Sequence, residues 1–453
     1  FGNLVTMAWW DDLWLNEGFA SWMANKTTQH FNPDWGADVE QVEDRETAMA
    51  LDGFAATHPI VQSIRTVEQI NQAFDDITYQ KGQSVIAMLE RFAGEDVWRK
   101  GIRSYIAKHA YQNTRTEDLW RAMEQAGAVG MVAVARDFTM QPGIPLIKVG
   151  PARCANGTSS ATVRQSQFSL DRRDAVAAKP LSWRVPVRAS AGGAVSEPVL
   201  TQNGTAQVTA DGCGPLIVNP GQVGYYRVLY PQQDLRALVG KYPTLSSVDQ
   251  YGLLSDQMAL SRAGYQPMAA GLDVLAAAPA DASAKVAANA LVQWKALYDV
   301  LADDPASQAA ISKLALERFG PRLRQLGFSP RAGEPALDAS LRPALIESLG
   351  HLGSPEVKAE GERLLAALRN DPGAIPGSLK ATWLGVLGRN ADAATWDSLR
   401  ALARSTKGTV ERITFYDALG KPRDEALARR ALDLALSSEP GPTVSPGIIS
   451  AVA

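Results

Sequence analysis

The segment Gln141-Pro-Gly-Ile-Pro145 most constrains the fold, because its two prolines cannot both lie inside a regular helix. Before this segment, apolar residues recur with the spacing of amphipathic helices, and after it short apolar runs alternate with turn residues. The helical spacing returns from about residue 245. We therefore predict a multidomain α+β protein with a helical domain over 1–140, a strand-rich domain over 141–232 and a helical domain over 233–453.

The N-terminal part carries four predicted helices. Asp11 and Asp12 are expected to cap the first of them. The second is expected to begin near Asp75 or Asp76 and to stop at Gly94. The apolar residues that define the first three helices are Leu13, Trp14, Phe19, Trp22, Met23, Val85, Ile86, Leu89, Phe92, Trp98, Ile102, Tyr105 and Ile106.

The middle part is rich in short predicted strands separated by Gly, Asn, Pro and Ser turns. About seven such strands in about 90 residues are typical of a small antiparallel β-sandwich. The predicted strands are Leu146–Val149, Thr162–Leu170, Arg184–Arg188, Pro198–Thr201, Ala206–Ala210, Leu216–Val218 and Tyr225–Tyr230.

A Leu-Gly pair recurs at the expected ends of three C-terminal helices, at Leu349-Gly350, Leu387-Gly388 and Leu419-Gly420. Downstream of these glycines stand Ser354, Asp392 and Asp424, residue types that commonly cap the next helix. Irregular helix pairs of this kind are typical of HEAT repeats, so we predict a HEAT-like α-helical superhelix.

The composition argues against two classes of partner. The 453 residues carry 45 basic and 48 acidic side chains, with no basic stripe among aromatic residues, so we expect no nucleic acid to bind. No apolar run reaches the ~18 residues that a membrane-spanning helix needs. The chain opens on an aromatic segment without an initiator Met and ends without a capping repeat, so we expect it to be a piece of a longer protein.

Two cysteines, Cys154 and Cys213, both fall in the strand-rich part. The sequence favours two buried, inert thiols. The alternative is a disulfide that closes this region, and it would indicate an oxidising compartment such as the periplasm or the extracellular space.

The sequence supplies no histidine pair for a catalytic zinc, which usually has three protein ligands and an open position for water. No two histidines have the i, i+4 spacing that places both imidazoles on one face of a helix. Taken alone, Glu17 would be a cap or a surface charge, and Tyr79 a half-buried packing residue. The four histidines are His30, His58, His109 and His351.

The segment Phe1–Trp22, with its Asn-Glu-Gly-Phe-Ala motif, resembles the stretch that follows the His-Glu-x-x-His helix in the aminopeptidase N family of gluzincin-type zinc metallopeptidases. This resemblance implies that Glu17 is the third zinc ligand. The segment Phe74–Gly82 resembles the family segment whose tyrosine donates a hydrogen bond to the reaction oxyanion, which implies that role for Tyr79. Further segments that resemble family landmarks are Thr57–Ile60, Gln141-Pro-Gly and Gly224–Tyr230.

The resemblance implies a zinc-dependent aminopeptidase that removes N-terminal amino acids from short peptides, and a thermolysin-like catalytic domain of which 1–140 is a part. The family's two histidine ligands and general-base glutamate would lie upstream of Phe1. We therefore expect the chain as given to bind no zinc tightly and to be inactive.

Two other classes of protein are alternatives to an aminopeptidase. One is a non-catalytic scaffold that keeps the aminopeptidase architecture and binds proteins through the helical domain, although a scaffold gains nothing from retaining Glu17 and Tyr79. The other is an epoxide hydrolase of the leukotriene-processing branch, which resembles the same zinc motif but generally lacks the strand-rich middle part.

Overall fold

A computed structural model describes residues 2–452, and the chain divides into two compact units, 1–279 and 280–453. The first unit combines helices with short strands, and the described part of the second unit is helical. Within the described residues, no helix combines the length and the apolar character that crossing a bilayer requires.

The helices of the first unit surround an aromatic core. Helix α1 packs on α2 and α4, and α5 packs on α6. Trp14 stacks on Trp120 with ring centroids 5.6 Å apart, and the buried Trp98 packs edge-on against Trp22. These tryptophans therefore serve as packing residues. The helices are α1 Trp14–Phe31, α2 Ala37–Asp52, α3 Val67–Gln72, α4 Gly82–Ala93, α5 Glu95–His109, α6 Thr116–Ala126, α7 Met131–Thr139, α8 Arg173–Ala178, α9 Gln232–Lys241, α10 Ser247–Arg262 and α11 Met268–Ala277.

The start of α1 differs from the prediction, because neither Asp11 nor Asp12 caps it. Leu13 stands at the cap position and makes no side-chain cap bond. Asp11 Oδ1 instead accepts the Ile64 N–H at 2.8 Å, and the buried Asp12 Oδ1 accepts the Thr116 N–H at 3.1 Å. Both aspartates therefore satisfy backbone donors of distant segments rather than those of the following helix.

The second predicted helix is split into two geometries. Ile77–Lys81 forms one turn of π-helix, and α4 then continues to Ala93, just before Gly94 as predicted. Of the residues predicted to be buried, Val85, Ile86 and Leu89 are fully buried, whereas Phe92 is only half-buried. Single π turns occur frequently at functional sites.

Among residues 2–452 the strands form one five-stranded sheet and three two-stranded pairings. The sheet has the order β11-β3-β5-β4, with β9 also pairing with β5. Pairs β6–β8 and β7–β10 are antiparallel, and β1–β2 is parallel. The strands are β1 Val5–Met7, β2 Gln112–Thr114, β3 Ile144–Val149, β4 Arg153–Ala155, β5 Thr158–Phe168, β6 Pro186–Val187, β7 Ala189–Ser190, β8 Val199–Leu200, β9 Thr205–Asp211, β10 Ile217–Val218 and β11 Arg227–Leu229.

Each predicted strand overlaps an observed one, but the prediction of a wholly antiparallel arrangement is wrong at one pairing. Strand β11 pairs with β3 in parallel, with Arg227 opposite Leu146. Two parallel neighbouring strands need a long connection between them. Here the connection is the chain from β3 to β11, which contains the strands β4 to β10.

The two cysteines are bonded to each other, so the prediction of buried free thiols is wrong. Cys154 and Cys213 form a disulfide with Cα atoms 5.4 Å apart, and both residues are exposed. They meet because β4 pairs with β5 and Gly212 bridges to Thr158 at the start of β5.

In the second unit, each even-numbered helix packs against the next even-numbered helix along the chain. Helix α12 contacts α14, α14 contacts α16, α16 contacts α18, and α18 contacts α20. The predicted caps are confirmed, because Ser354, Asp392 and Asp424 accept backbone N–H bonds from the first turns of α15, α17 and α19. The helices are α12 Ala284–Val300, α13 Pro305–Leu326, α14 Ala336–His351, α15 Pro355–Leu368, α16 Gly377–Arg389, α17 Ala393–Ser405, α18 Thr409–Leu419, α19 Glu425–Ala435 and α20 Ser445–Val452.

Candidate functional site

Glu17 lies in the first turn of α1, where the helix dipole favours a negative charge. The neighbouring residues Trp14 and Phe19 are fully buried and fix the helix in the core, while Glu17 itself is half-buried. The indole N–H of Trp14 donates to Thr116 Oγ1 at 2.9 Å, which ties this turn of α1 to the start of α6. The carboxylate therefore projects from a rigid element.

Tyr79 lies in the π turn before α4, and its hydroxyl interacts with the Glu17 carboxylate. Burial and this carboxylate raise the pKa of Tyr79 to about 12, so the hydroxyl keeps its proton at neutral pH and remains a donor. The Tyr79 ring lies 6.4 Å from that of Phe74, between centroids. The structure thus brings together the two residues that the sequence singled out for a site.

A glycine contact between α1 and α4 makes this approach possible. A Cβ atom on Gly18 would lie 3.1 Å from the carbonyl carbon of Gly82 and 3.3 Å from the Gln83 nitrogen. The two helix backbones therefore approach closely at this point, and even a methyl group between them would force them apart by a few tenths of an ångström. Gly18 follows Glu17 directly, so the contact sets the distance between α1 and the turn that bears Tyr79.

The histidines of the first unit do not join Glu17. His30 is exposed near the end of α1, His109 ends α5, and His58 is bonded to Asp75 and Pro59. Across residues 2–452, no three His, Cys, Asp or Glu side chains come together as a possible metal site. Glu17 is thus one suitable carboxylate ligand for zinc, but among residues 2–452 it is not part of a group of three such ligands.

A buried polar cluster that the sequence did not predict surrounds Asp52, the last residue of α2. Its carboxylate pairs with Lys81 Nζ at 2.8 Å and accepts hydrogen bonds from Thr57 Oγ1 at 2.5 Å, the Gly143 N–H at 2.7 Å and the Tyr225 hydroxyl at 3.0 Å. Burial, and then Asp52, raise the pKa of Tyr225 well above its usual value. Four of these five residues belong to segments singled out in the sequence, but only the fold shows that Asp52 connects them.

The second unit contains a separate polar cavity of about 340 Å³. His351 Nε2 lies 2.7 Å from Asp299 Oδ1 and 3.1 Å from Arg389 Nη2. Burial, followed by the charge of Arg389, lowers the pKa of His351 to about 4, so this histidine is neutral at neutral pH. The main polar residues lining the cavity are Lys295, Asp299, Glu347, His351, Arg389 and Lys421.

Comparison with known proteins identifies two family domains in the chain. The peptidase family M1 domain matches residues 1–138, and the ERAP1-like C-terminal domain matches residues 215–453. The M1 match includes both Glu17 and Tyr79.

Individual relatives agree with these domain matches. Aminopeptidase M1-A of Oryza sativa subsp. japonica is 30% identical over 459 residues, which cover 97% of this chain and 51% of the relative. Aminopeptidase M1 of Arabidopsis thaliana is 29% identical, covering 97% of this chain and 52% of the relative. Human glutamyl aminopeptidase is 33% identical over 277 residues, covering 58% of this chain and 28% of the relative. The chain thus spans about half the length of the first two relatives, and it belongs to the M1 family of aminopeptidases, with an ERAP1-like C-terminal domain.

Proposed function

We propose that this chain is part of a zinc-dependent aminopeptidase that removes N-terminal amino acids from short peptides. The observation that carries the proposal is the pair formed by Glu17 in the first turn of α1 and the protonated Tyr79 hydroxyl beside it. Membership of the M1 family supports it, since that family is zinc-dependent. When bound, zinc supplies Lewis acidity for a peptide carbonyl and activation of a water molecule.

In this proposal Glu17 is one of three protein ligands of the metal, and Tyr79 donates a hydrogen bond to the oxyanion that forms at the scissile carbonyl. Tyr79 suits this role because its hydroxyl is protonated and its backbone lies in the π turn next to α4 rather than in a loop. Two further ligands would have to come from outside these 453 residues. We therefore propose that the 453-residue chain alone neither binds zinc tightly nor hydrolyses peptides.

We further propose a partial thermolysin-like catalytic domain over 1–140, a β-sandwich domain over 141–232 and a HEAT-like superhelical domain over 233–453. The change from helices to strands after α7 and the return to helices at α9 support this division. The alternating contacts of α12 to α20 support the repeat interpretation.

The decisive experiment measures hydrolysis of aminoacyl-p-nitroanilides by the complete product of the gene that encodes this chain. Tyr79→Phe should lower kcat by a factor of about 100 to 1,000 with little change in zinc content, because it removes one oxyanion donor. Glu17→Gln should lower the zinc content itself, measured by atomic emission. Full activity of both variants would refute the assigned roles, and an inactive, zinc-free wild type would favour a non-catalytic scaffold.

The 453-residue chain gives an independent check. We expect no stoichiometric zinc after dialysis against micromolar zinc, and no release of p-nitroaniline. Stoichiometric zinc together with turnover would show that these residues suffice, contrary to the proposal.

A further inference from the structure

His58 and Asp75 form a charged pair next to the π turn that bears Tyr79. His58 Nε2 lies 2.7 Å from Asp75 Oδ2, and His58 Nδ1 lies 2.8 Å from the Pro59 carbonyl oxygen. Both partners are acceptors, so both ring nitrogens carry protons and His58 is an imidazolium. Burial opposes this charge, but the hydrogen bonds to Asp75 and Pro59 outweigh it, and the pKa of His58 is raised.

The second oxygen of Asp75 holds the start of the π turn. Asp75 Oδ1 accepts the N–H groups of Ile77 at 3.0 Å and Thr78 at 3.1 Å, and the Asp75 carbonyl accepts the Tyr79 N–H at 3.1 Å. The first amides of a helical turn have no partner within the turn. Asp75 therefore accepts hydrogen bonds from the N–H groups of three consecutive residues, the last of which is Tyr79. His58 fixes the orientation of the Asp75 carboxylate by its hydrogen bond to Oδ2.

The far end of the same turn is anchored independently. Lys81 is buried and paired with Asp52, and its ammonium also lies 5.4 Å from the centre of the Tyr225 ring. Tyr79 thus lies between two ionic anchors, one at each end of a single turn. These contacts hold the π turn from both ends, and they thereby limit the directions in which its side chains can point.

Building on the proposed function, we infer that His58 and Asp75 are positioning residues for Tyr79. They touch neither substrate nor metal in this proposal. The imidazolium of His58 orients the carboxylate of Asp75. This carboxylate fixes the backbone of the π turn, and the turn places the Tyr79 hydroxyl within hydrogen-bond distance of the oxyanion. This gives a function to the Thr57–Ile60 landmark and to Asp75, neither of which has a role in the chemistry itself.

The first test reads the position of Tyr79 directly in the 453-residue chain, without metal or activity. 3-Fluorotyrosine is introduced at position 79, and its ¹⁹F resonance is compared between the wild type, His58→Ala and Asp75→Asn. Asp76→Asn is the matched control, because Asp76 carries the same charge one residue along and its side chain makes no cap hydrogen bond. Circular dichroism establishes that each variant is folded. Because His58 is only half-buried, its replacement by alanine should disturb the packing little.

We expect the resonance to move or broaden in His58→Ala and in Asp75→Asn, and to keep its wild-type position in Asp76→Asn. Folded His58→Ala and Asp75→Asn proteins with an unchanged resonance would overturn the inference. A shift of equal size in Asp76→Asn would overturn it too, because the effect would then be one of general charge.

The second test uses the complete gene product and a double-mutant cycle. Asp75→Asn should lower kcat by a factor of about 10 to 100 with nearly unchanged KM, because misplacement by about 1 Å has effects of this size. In the Tyr79→Phe background the same substitution should cost almost nothing further, since there is no hydroxyl left to position. An equal loss in both backgrounds would show that Asp75 does not act through Tyr79. If Tyr79→Phe alone has no effect, the proposed oxyanion role fails, and the ¹⁹F test still decides the positioning role.

Discussion

Gly18→Ala tests whether the contact between α1 and α4 is limited by backbone atoms. The added Cβ would lie 3.1 and 3.2 Å from the carbonyl carbon and Cα of Gly82, and 3.3 Å from the Gln83 nitrogen. Because these are all backbone atoms, no side chain can rotate away. Forcing a methyl group into a packed site costs about 1 to 3 kcal/mol. Replacing a helical glycine by alanine returns about 0.5 to 1 kcal/mol.

The balance is a loss of about 0 to 2.5 kcal/mol in the free energy of unfolding, with a midpoint of about 1 kcal/mol. Urea denaturation followed by circular dichroism measures it. Gly240→Ala is the matched control, because Gly240 is also helical and a Cβ there would meet no atom within 4 Å. That variant should be slightly more stable than the wild type. A gain in stability for Gly18→Ala equal to that of Gly240→Ala would refute a backbone clash at Gly18.

Three further changes test other parts of the molecule by the same urea assay. Replacing Cys154 and Cys213 by alanine should lower the free energy of unfolding by about 4 kcal/mol, from the loop entropy of a 59-residue separation. Lys81→Met should cost about 3 to 5 kcal/mol, because it leaves the Asp52 carboxylate buried without its cation. The second unit should lose stability as the pH falls from 6.5 to about 4, because His351 takes up a proton in the unfolded chain first. This pH dependence should be weaker in His351→Gln.

For each of these three predictions, a specific experimental result would contradict it. Reduction of the wild type should reproduce the cysteine variant, and an unchanged midpoint after reduction would mean that the disulfide contributes nothing. Lys100→Met on the exposed face of α5 is the control for Lys81, and equal effects of the two would argue against a special role for the buried pair. If the wild type and His351→Gln have the same slope with pH, another group causes the loss.

The sequence predicts best those features that depend on neighbouring residues. Ser354, Asp392 and Asp424 cap helices as expected, because a cap bonds the amide only three residues later. Asp11 and Asp12 have the same local pattern and yet bond segments more than 50 residues away. Their local signal could not reveal this, because the competing donors become available only after the chain has folded.

The two residues of the candidate site were predicted from a resemblance, whereas their surroundings could not be. His58 precedes a proline, and this local context suggests an ordinary turn histidine. Its partner Asp75 lies 17 residues further on, with no periodicity linking the two. The π turn over Ile77–Lys81 leaves the helical hydrophobic pattern intact, so only the structure shows it.

The Asp52 cluster has a consequence for folding order. The carboxylate at the end of α2 takes its partners from segments as distant as Gly143 and Tyr225, and Arg45 in the same helix donates to backbone carbonyls of Gln222 and Gly224. The helical residues before 141 therefore hold buried charges whose full set of hydrogen bonds is completed only once the strands have docked. We expect the first unit to unfold in one cooperative transition, and a fragment cut at residue 140 to be insoluble, although the sequence changes character at that point.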